Sequence, residues 1–153
     1  MQKRSPIETS PCNAGAMRKA SRRITQFYDD ALASAGLRST QYTILAELEL
    51  RFEEPPTMRE LANALVMDRS ALGHNLRPLE RVGFIAFEAS KDDRRRRHVV
   101  VTKPGKAKFT EAEQLWRTAQ DRFHKIFGEA KAAKLRRVLL TIAVDQRLAT
   151  QKR

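Results

Sequence analysis

Apolar residues recur at helical spacing from Ala16 to Ala35, where Met17, Ala20, Ile24, Phe27, Tyr28 and Ala31 share one face. Gly36 stops this first helix. Ser39 is read as the N-cap of a second helix carrying Tyr42, Leu45, Ala46 and Leu48, and the "EEPP" of 53–56 breaks it. Thr57 and Glu60 make a T-x-x-E capping box that opens a short helix with Leu61, Ala62 and Leu65 inside. Asp68 caps the next helix, with Met67 and Leu72 at the staple positions around it. Its buried stripe is Leu72, Leu76 and Leu79, and Gly83 ends it. Pro78 lies inside that helix, which must either kink there or end early; the continuing pattern at Leu79, Arg81 and Val82 favours a kink.

"FIAFEAS" and "RHVVVT" read as two strands around a charged loop. Thr102 caps a long helix with Pro104 in its first turn, where a missing N–H costs little. That helix is expected to bury Ala112, Leu115, Trp116, Ala119, Phe123, Ile126 and Phe127. Gly128 interrupts it, and a last helix carries Leu135, Val138, Leu139 and Ile142. The expected fold is mainly α with a small β-hairpin wing (α+β): a winged helix-turn-helix over 38–102, flanked by helices over 14–36 and 103–150. Residues 13–153 form one domain, preceded by a mobile tail at 1–12. The terminal helices carry more apolar surface than one small winged domain can cover, which points to a homodimer.

Charge sharpens this picture. The 153 residues hold 30 Lys+Arg against 18 Asp+Glu, a net charge of +12, which favours a polyanionic partner. The excess is uneven, because residues 39–56 are net acidic. Opposite the leucine stripe, the fourth helix shows Arg69, Ser70, Gly73, His74 and Arg77, types suited to base edges and phosphates in a major groove. The hairpin loop adds Asp93, Arg94, Arg95, Arg96 and Arg97 on what should be the same side.

The stretches "TMRELANALVMDRSALGHNLRPLERVGFI" and "DDRRRRHVVVTKPGKA" closely resemble the multiple-antibiotic-resistance regulator (MarR) family, whose wing carries a D-R-R ahead of L-T-x-x-G. The resemblance implies a ligand-responsive homodimeric repressor on a pseudo-palindromic double-stranded DNA operator, with 14–36 and 103–150 as its dimerisation helices. It also implies that Arg95 enters the minor groove, that Asp93 holds the Arg95 side chain, and that Arg94, Arg96 and Arg97 face phosphates or solvent. Many relatives answer to a small aromatic or phenolic effector in a cleft beside the dimerisation helices. Arg22, Tyr28 and Tyr42 are the candidates for such a cleft, with core or interface packing the favoured alternative. In a peroxide-sensing branch the reactive cysteine would fall at Ala14 and a partner tyrosine at Ser39, so that pattern is mostly absent, and Cys12 is expected to be inert.

Other functions find less support. There is no Gly-rich phosphate loop, nucleophile elbow or clustered acid–base pair, so no catalytic residue and no cofactor is expected. His74, His98 and His124 are scattered, which gives no metal site. The arginines sit on a hairpin rather than on a basic amphipathic helix, so no membrane partner is expected. A lone cysteine fits a reducing cytoplasm. The competing function is a nucleoid-type DNA binder without sequence preference, against which a structured recognition helix argues.

Overall fold

The computed structural model describes residues 11–90, 93 and 95–149; the rest of the expected tail at 1–12, and Arg94, lie outside them. Its elements are α1 (Asn13–Leu32), α2 (Ser39–Leu50), α3 (Met58–Ala64), α4 (Arg69–Arg81), β1 (Ile85–Ala89), β2 (Arg97–Val101), α5 (Lys103–Phe127) and α6 (Glu129–Val144). Short 3₁₀ turns follow α1 and α6. The expected order of elements is therefore the observed one. Among the described residues no helix is long and apolar enough to cross a membrane.

Two helix starts differ from expectation. α1 begins at Asn13, not Ala16, because the Cys12 side chain serves as its N-cap, accepting from the Gly15 N–H at 3.3 Å. Ser39 is the first residue of α2 and not its cap; Arg38 holds the cap position. The reason is a carboxylate from another helix. Asp29 Oδ1 accepts both the backbone N–H and the hydroxyl of Ser39, each at 2.7 Å. A negative group there also suits the positive end of the α2 dipole. The other expected caps stand: Thr57 with Glu60, Asp68 on the Ala71 N–H, and Thr102 on the Gly105 N–H.

Leu72, Leu76 and Leu79 of α4 are buried against Leu32, Ile44, Leu45, Leu61, Ile85 and Val99 in one core. Each such side chain stabilises the fold by roughly 2 kcal/mol. α4 continues through Pro78 to Arg81, which removes the early-ending alternative. The far ends of α5 and α6 depart from expectation. Ala112 and Ala119 are buried, but Ile126 is 70% exposed and Val138 51%, and Phe127, Leu135 and Leu139 are exposed as well. An apolar stripe in a sequence marks a face that seeks cover without saying whether this chain provides it.

β1 and β2 pair antiparallel in the register Ile85↔Val101, Phe87↔Val99 and Ala89↔Arg97. The segment after the "EEPP" break is more than a linker. Pro56 accepts from the Val99 N–H at 2.8 Å, Thr57 bridges to His98, and His98 Nδ1 donates to the Pro55 carbonyl at 2.6 Å. These bonds fasten the start of α3 to the wing.

The wing, α4 and α5 converge on one point. α4 closes in a Schellman motif: Gly83, at φ 78°, donates to Glu80, and Phe84 donates to Leu79. The Phe84 carbonyl accepts the Thr102 N–H at 3.0 Å, and the Thr102 hydroxyl donates to the Gly83 carbonyl at 2.5 Å. Gly105 packs so closely that a Cβ there would sit 1.9 Å from the Phe84 oxygen. The turn between α3 and α4 repeats the Schellman pattern, with Val66 and Met67 donating to Asn63 and Ala62. Its left-handed position is held by Val66, at φ 52°, where a β-branched residue is strained. Two substitutions should therefore move stability in opposite directions. Gly105→Ala should destabilise by roughly 3 kcal/mol, and Val66→Gly should stabilise by about 1 kcal/mol, both read by chemical denaturation. A neutral Gly105→Ala would contradict the close approach.

Candidate nucleic-acid interface

α4 presents its outer side because the leucine stripe fixes its rotation. Arg69, Ser70, His74 and Arg77 are all exposed, with Gly73 half-buried between them. Asp68 caps the helix at 2.7 Å on the Ala71 N–H, so the first turn that carries Arg69 and Ser70 is held rigid.

The wing tip is organised by Asp93, but not as expected. Asp93 Oδ1 accepts the backbone N–H of Arg95 at 2.9 Å, and its carbonyl accepts the Arg96 N–H at 2.9 Å. Asp93 therefore shapes the turn through the main chain, and among the described residues no ion pair joins it to the Arg95 guanidinium. A short carboxylate two residues ahead reaches the nearest N–H before any flexible side chain. The Ser90 N–H closes the loop on the Arg96 carbonyl at 2.8 Å. Arg95, Arg96 and Arg97 are all exposed, and the Arg97 guanidinium lies 5.6 Å from the Phe87 ring centroid.

Three separate elements meet here. Arg69 from the start of α4 and Arg95, Arg96 and Arg97 from the wing line one depression, joined by Arg59 of α3. Ser70, His74 and Arg77 do not line it; they continue the basic surface along α4. Arg59 has no distinctive sequence signal beyond its place in the first turn after the Thr57 cap. Glu60, beside it, is held below the usual carboxylate range by hydrogen bonds from the Thr57 N–H and hydroxyl, with smaller help from His98 and Arg96. Among the described residues no ion pair involves Arg59, Arg69, Arg77, Arg95, Arg96 or Arg97.

A family model described as the MarR family matches residues 35–96, which hold the helix-turn-helix and the wing tip. The DNA complex of the M. tuberculosis transcriptional regulator MosR is 31% identical, with 86% of this chain and 93% of that chain covered at a TM-score of 0.76. The chain belongs to the MarR family. The repressor CouR on a 23-mer DNA duplex is 26% identical over 86% of this chain and 92% of that one, at a TM-score of 0.78. The S. aureus MepR–DNA complex, 18% identical over 86% and 94% at a TM-score of 0.71, shares the fold. A search of curated protein sequences finds no match.

This MarR-family chain also has a cleft of about 370 Å³ where α1, α2, the helix-turn-helix turn and α5 meet. Tyr28 and Tyr42 line it, together with Trp116. Arg22 does not; it lies about a third of a turn round α1 from Tyr28, beside Lys19 and Arg23 on the outside of that helix. Tyr28 donates a short hydrogen bond to Gln120 Oε1, and Gln120 Nε2 contacts His124 Nε2 at 3.3 Å. Tyr42 is buried in a stack, its ring centroid 5.4 Å from Phe109 and 5.8 Å from Trp116. Burial, seconded by the Glu113 carboxylate, pushes the Tyr42 hydroxyl up to about 12 from 10.0. Because the folded state holds this proton more tightly than the unfolded chain, stability should fall as pH rises from about 10 to about 12. Tyr42→Phe should remove that part of the alkaline slope, measured by denaturation at a series of pH values. An unchanged slope would show that the hydroxyl is not shielded.

Proposed function

We propose that the protein is a homodimeric, effector-responsive transcriptional repressor of a pseudo-palindromic operator. The observation that carries this reading is the depression where Arg59 and Arg69 adjoin Arg95, Arg96 and Arg97, beside the exposed face of α4. A helix about 10–12 Å across fits a major groove about 12 Å wide. α4 would lie there, with Arg69, Ser70, His74 and Arg77 toward bases and nearby phosphates, and with Gly73 allowing close approach. The wing would follow the flanking minor groove. A narrow groove concentrates negative potential, and Arg95 is the side chain assigned to it. Arg94, Arg96 and Arg97 are assigned to phosphates. That MosR and CouR are seen on DNA supports this reading.

The dimer rests on a separate observation. Ile126, Phe127, Leu135, Val138 and Leu139 leave apolar surface uncovered on α5 and α6. A second copy meeting the same patch by two-fold symmetry would cover it and set two recognition helices in register. The cleft at Tyr28 and Tyr42 is the proposed site of a small effector. Its walls come from both the dimerisation helices and the helix-turn-helix, so occupancy would alter the angle between them.

Sedimentation should give a dimer at micromolar concentration without DNA; a stable folded monomer would defeat the assembly. Half-site centres should lie about one helical turn, roughly 10 bp, apart, so inserting about 5 bp between them should nearly abolish binding. Arg95→Ala should weaken binding most through the flanking A·T-rich steps. His74→Ala or Arg77→Ala should relax base preference at inner positions by about 1–3 kcal/mol for any base-contacting pair. Titration against a library of operator variants at two salt concentrations reads all of these. Equal affinity for operator and random DNA would mean a non-specific binder instead.

A further inference from the structure

The wing face does not account for all the positive charge. Before Asp29, the charged residues of α1 are Arg18, Lys19, Arg22 and Arg23, all cations. At about 3.6 residues per turn the four fall within one sector of about 140°. Between Asn13 and Gln26 only Gly15 and Gln26 share that sector, while Met17, Ala20 and Ile24 lie on the other side of the helix. All four cations are exposed, and among the described residues no ion pair involves any of them. Lys19, Arg22 and Arg23 line one shallow depression with Gln26. The nearest carboxylate along the helix, Asp29, is turned on Ser39.

This stripe stands away from the wing. Tyr28 bonds to Gln120, and the Phe27 ring centroid lies 6.4 Å from that of Phe123. Leu32, at the end of α1, is buried in the core with Ala112, nearer the start of α5. α1 therefore runs antiparallel to α5, and its basic half lies toward Phe127 at the far end of α5. The wing and α4 are fastened to the start of α5 through Thr102 and Gly105. From Gly105 to Phe123 the helix rises about 27 Å, and Arg22 lies more than a turn beyond that level. That is far more than one side chain spans, so a duplex seated on α4 and the wing leaves these cations without phosphates.

The chemistry of the stripe fits a sugar–phosphate backbone. Arg18 and Arg22, like Lys19 and Arg23, are four residues apart, a rise of about 6 Å. Phosphates on one strand of B-DNA recur every ~3.4 Å along the axis, so each pair spans roughly two phosphate steps. An anionic lipid surface asks in addition for apolar side chains beside the cations, to enter the headgroup boundary. This sector holds none. We propose that α1 carries a second duplex-DNA site, with Arg18, Lys19, Arg22 and Arg23 on phosphates, so that one protein holds two DNA segments at opposite ends of α5. Contacts to phosphates alone carry no sequence information, so the site takes duplex DNA of any sequence.

Variants of the full-length protein separate the two surfaces. Arg59→Gln, Arg69→Gln, Arg95→Gln, Arg96→Gln and Arg97→Gln together neutralise the wing face; Arg18→Gln, Lys19→Gln, Arg22→Gln and Arg23→Gln neutralise the stripe. All these side chains are exposed and Gln is a good helix former, so circular dichroism should stay unchanged. With the wing face neutralised, the protein should still bind a labelled duplex of random sequence in fluorescence anisotropy at about 50 mM salt. Adding the four α1 changes should weaken that binding by about tenfold or more and lower the salt slope by roughly three to four units. The unaltered protein should bring a donor-labelled and an acceptor-labelled duplex together in energy transfer, and the four α1 changes alone should abolish the transfer. The proposal is overturned if the wing-neutralised protein binds no duplex, if it binds equally well without the stripe, or if transfer is absent or survives the α1 changes. Sedimentation of the wing-neutralised protein with phosphatidylglycerol vesicles, without retention of duplex, would assign the stripe to lipid and overturn it as well. Neither DNA arm uses an operator, so failure of the proposed operator reading and failure of this second site give different results.

Discussion

The carbonyl of Phe84 holds together parts that have little else in common. It lies one residue past the glycine that ends α4, at the root of the wing, and it receives the N–H of the residue that caps α5. Gly105 closes on it from the first turn of α5 with no room for a Cβ. The recognition helix, the wing and the long helix thus share one rigid joint, made of main-chain bonds and a missing side chain. Gly105 and Trp116 stand on the same helix, so the joint and the cleft share α5.

Acidic side chains serve mainly to shape this framework. Asp29 holds the start of α2, Glu60 that of α3, Asp68 that of α4, and Asp93 the wing turn. Their charge is turned on backbone N–H groups, while the arginines of the basic face carry no ion pairs among the described residues. Glu60 and Glu80 line the same depression as its five arginines, which outnumber them, and the Glu60 carboxylate is turned on Thr57. In the proposed complex, phosphate oxygens would supply the arginines' counter-charge, and counterion release would favour association.

The uncovered apolar surface lies at the far ends of α5 and α6, while the uncharged cleft takes its Trp116 wall from the middle of α5. The partner copy proposed for the first and the effector proposed for the second would both bear on α5, which also enters the core through Ala112. α5 carries Gly105 near one end, Trp116 at the cleft and Ile126 near the other end, with Gln120 accepting the Tyr28 hydroxyl proton.

The periodic leucines, the cap residues Thr57, Asp68 and Thr102, and the glycines at 36, 83 and 128 determine the elements and their order, because each acts within a few residues of itself. The exposed types on α4 and the arginine run of the wing follow from the same local rules. What the sequence alone leaves undecided depends on parts of the chain far apart in number. Asp29 capping α2 in place of Ser39, Pro56 pairing with Val99, Arg59 joining the wing arginines, and Arg22 turning away from the cleft are all set by how helices pack. Exposure of the α5 and α6 stripes is of the same kind: periodicity records that a face is apolar, and only the assembled core shows that no described residue covers it. The protons of Ser39, Thr43 and Tyr28 carry the point furthest, since a hydroxyl is left with only its lone pairs to offer once the fold has brought up a group to take its hydrogen.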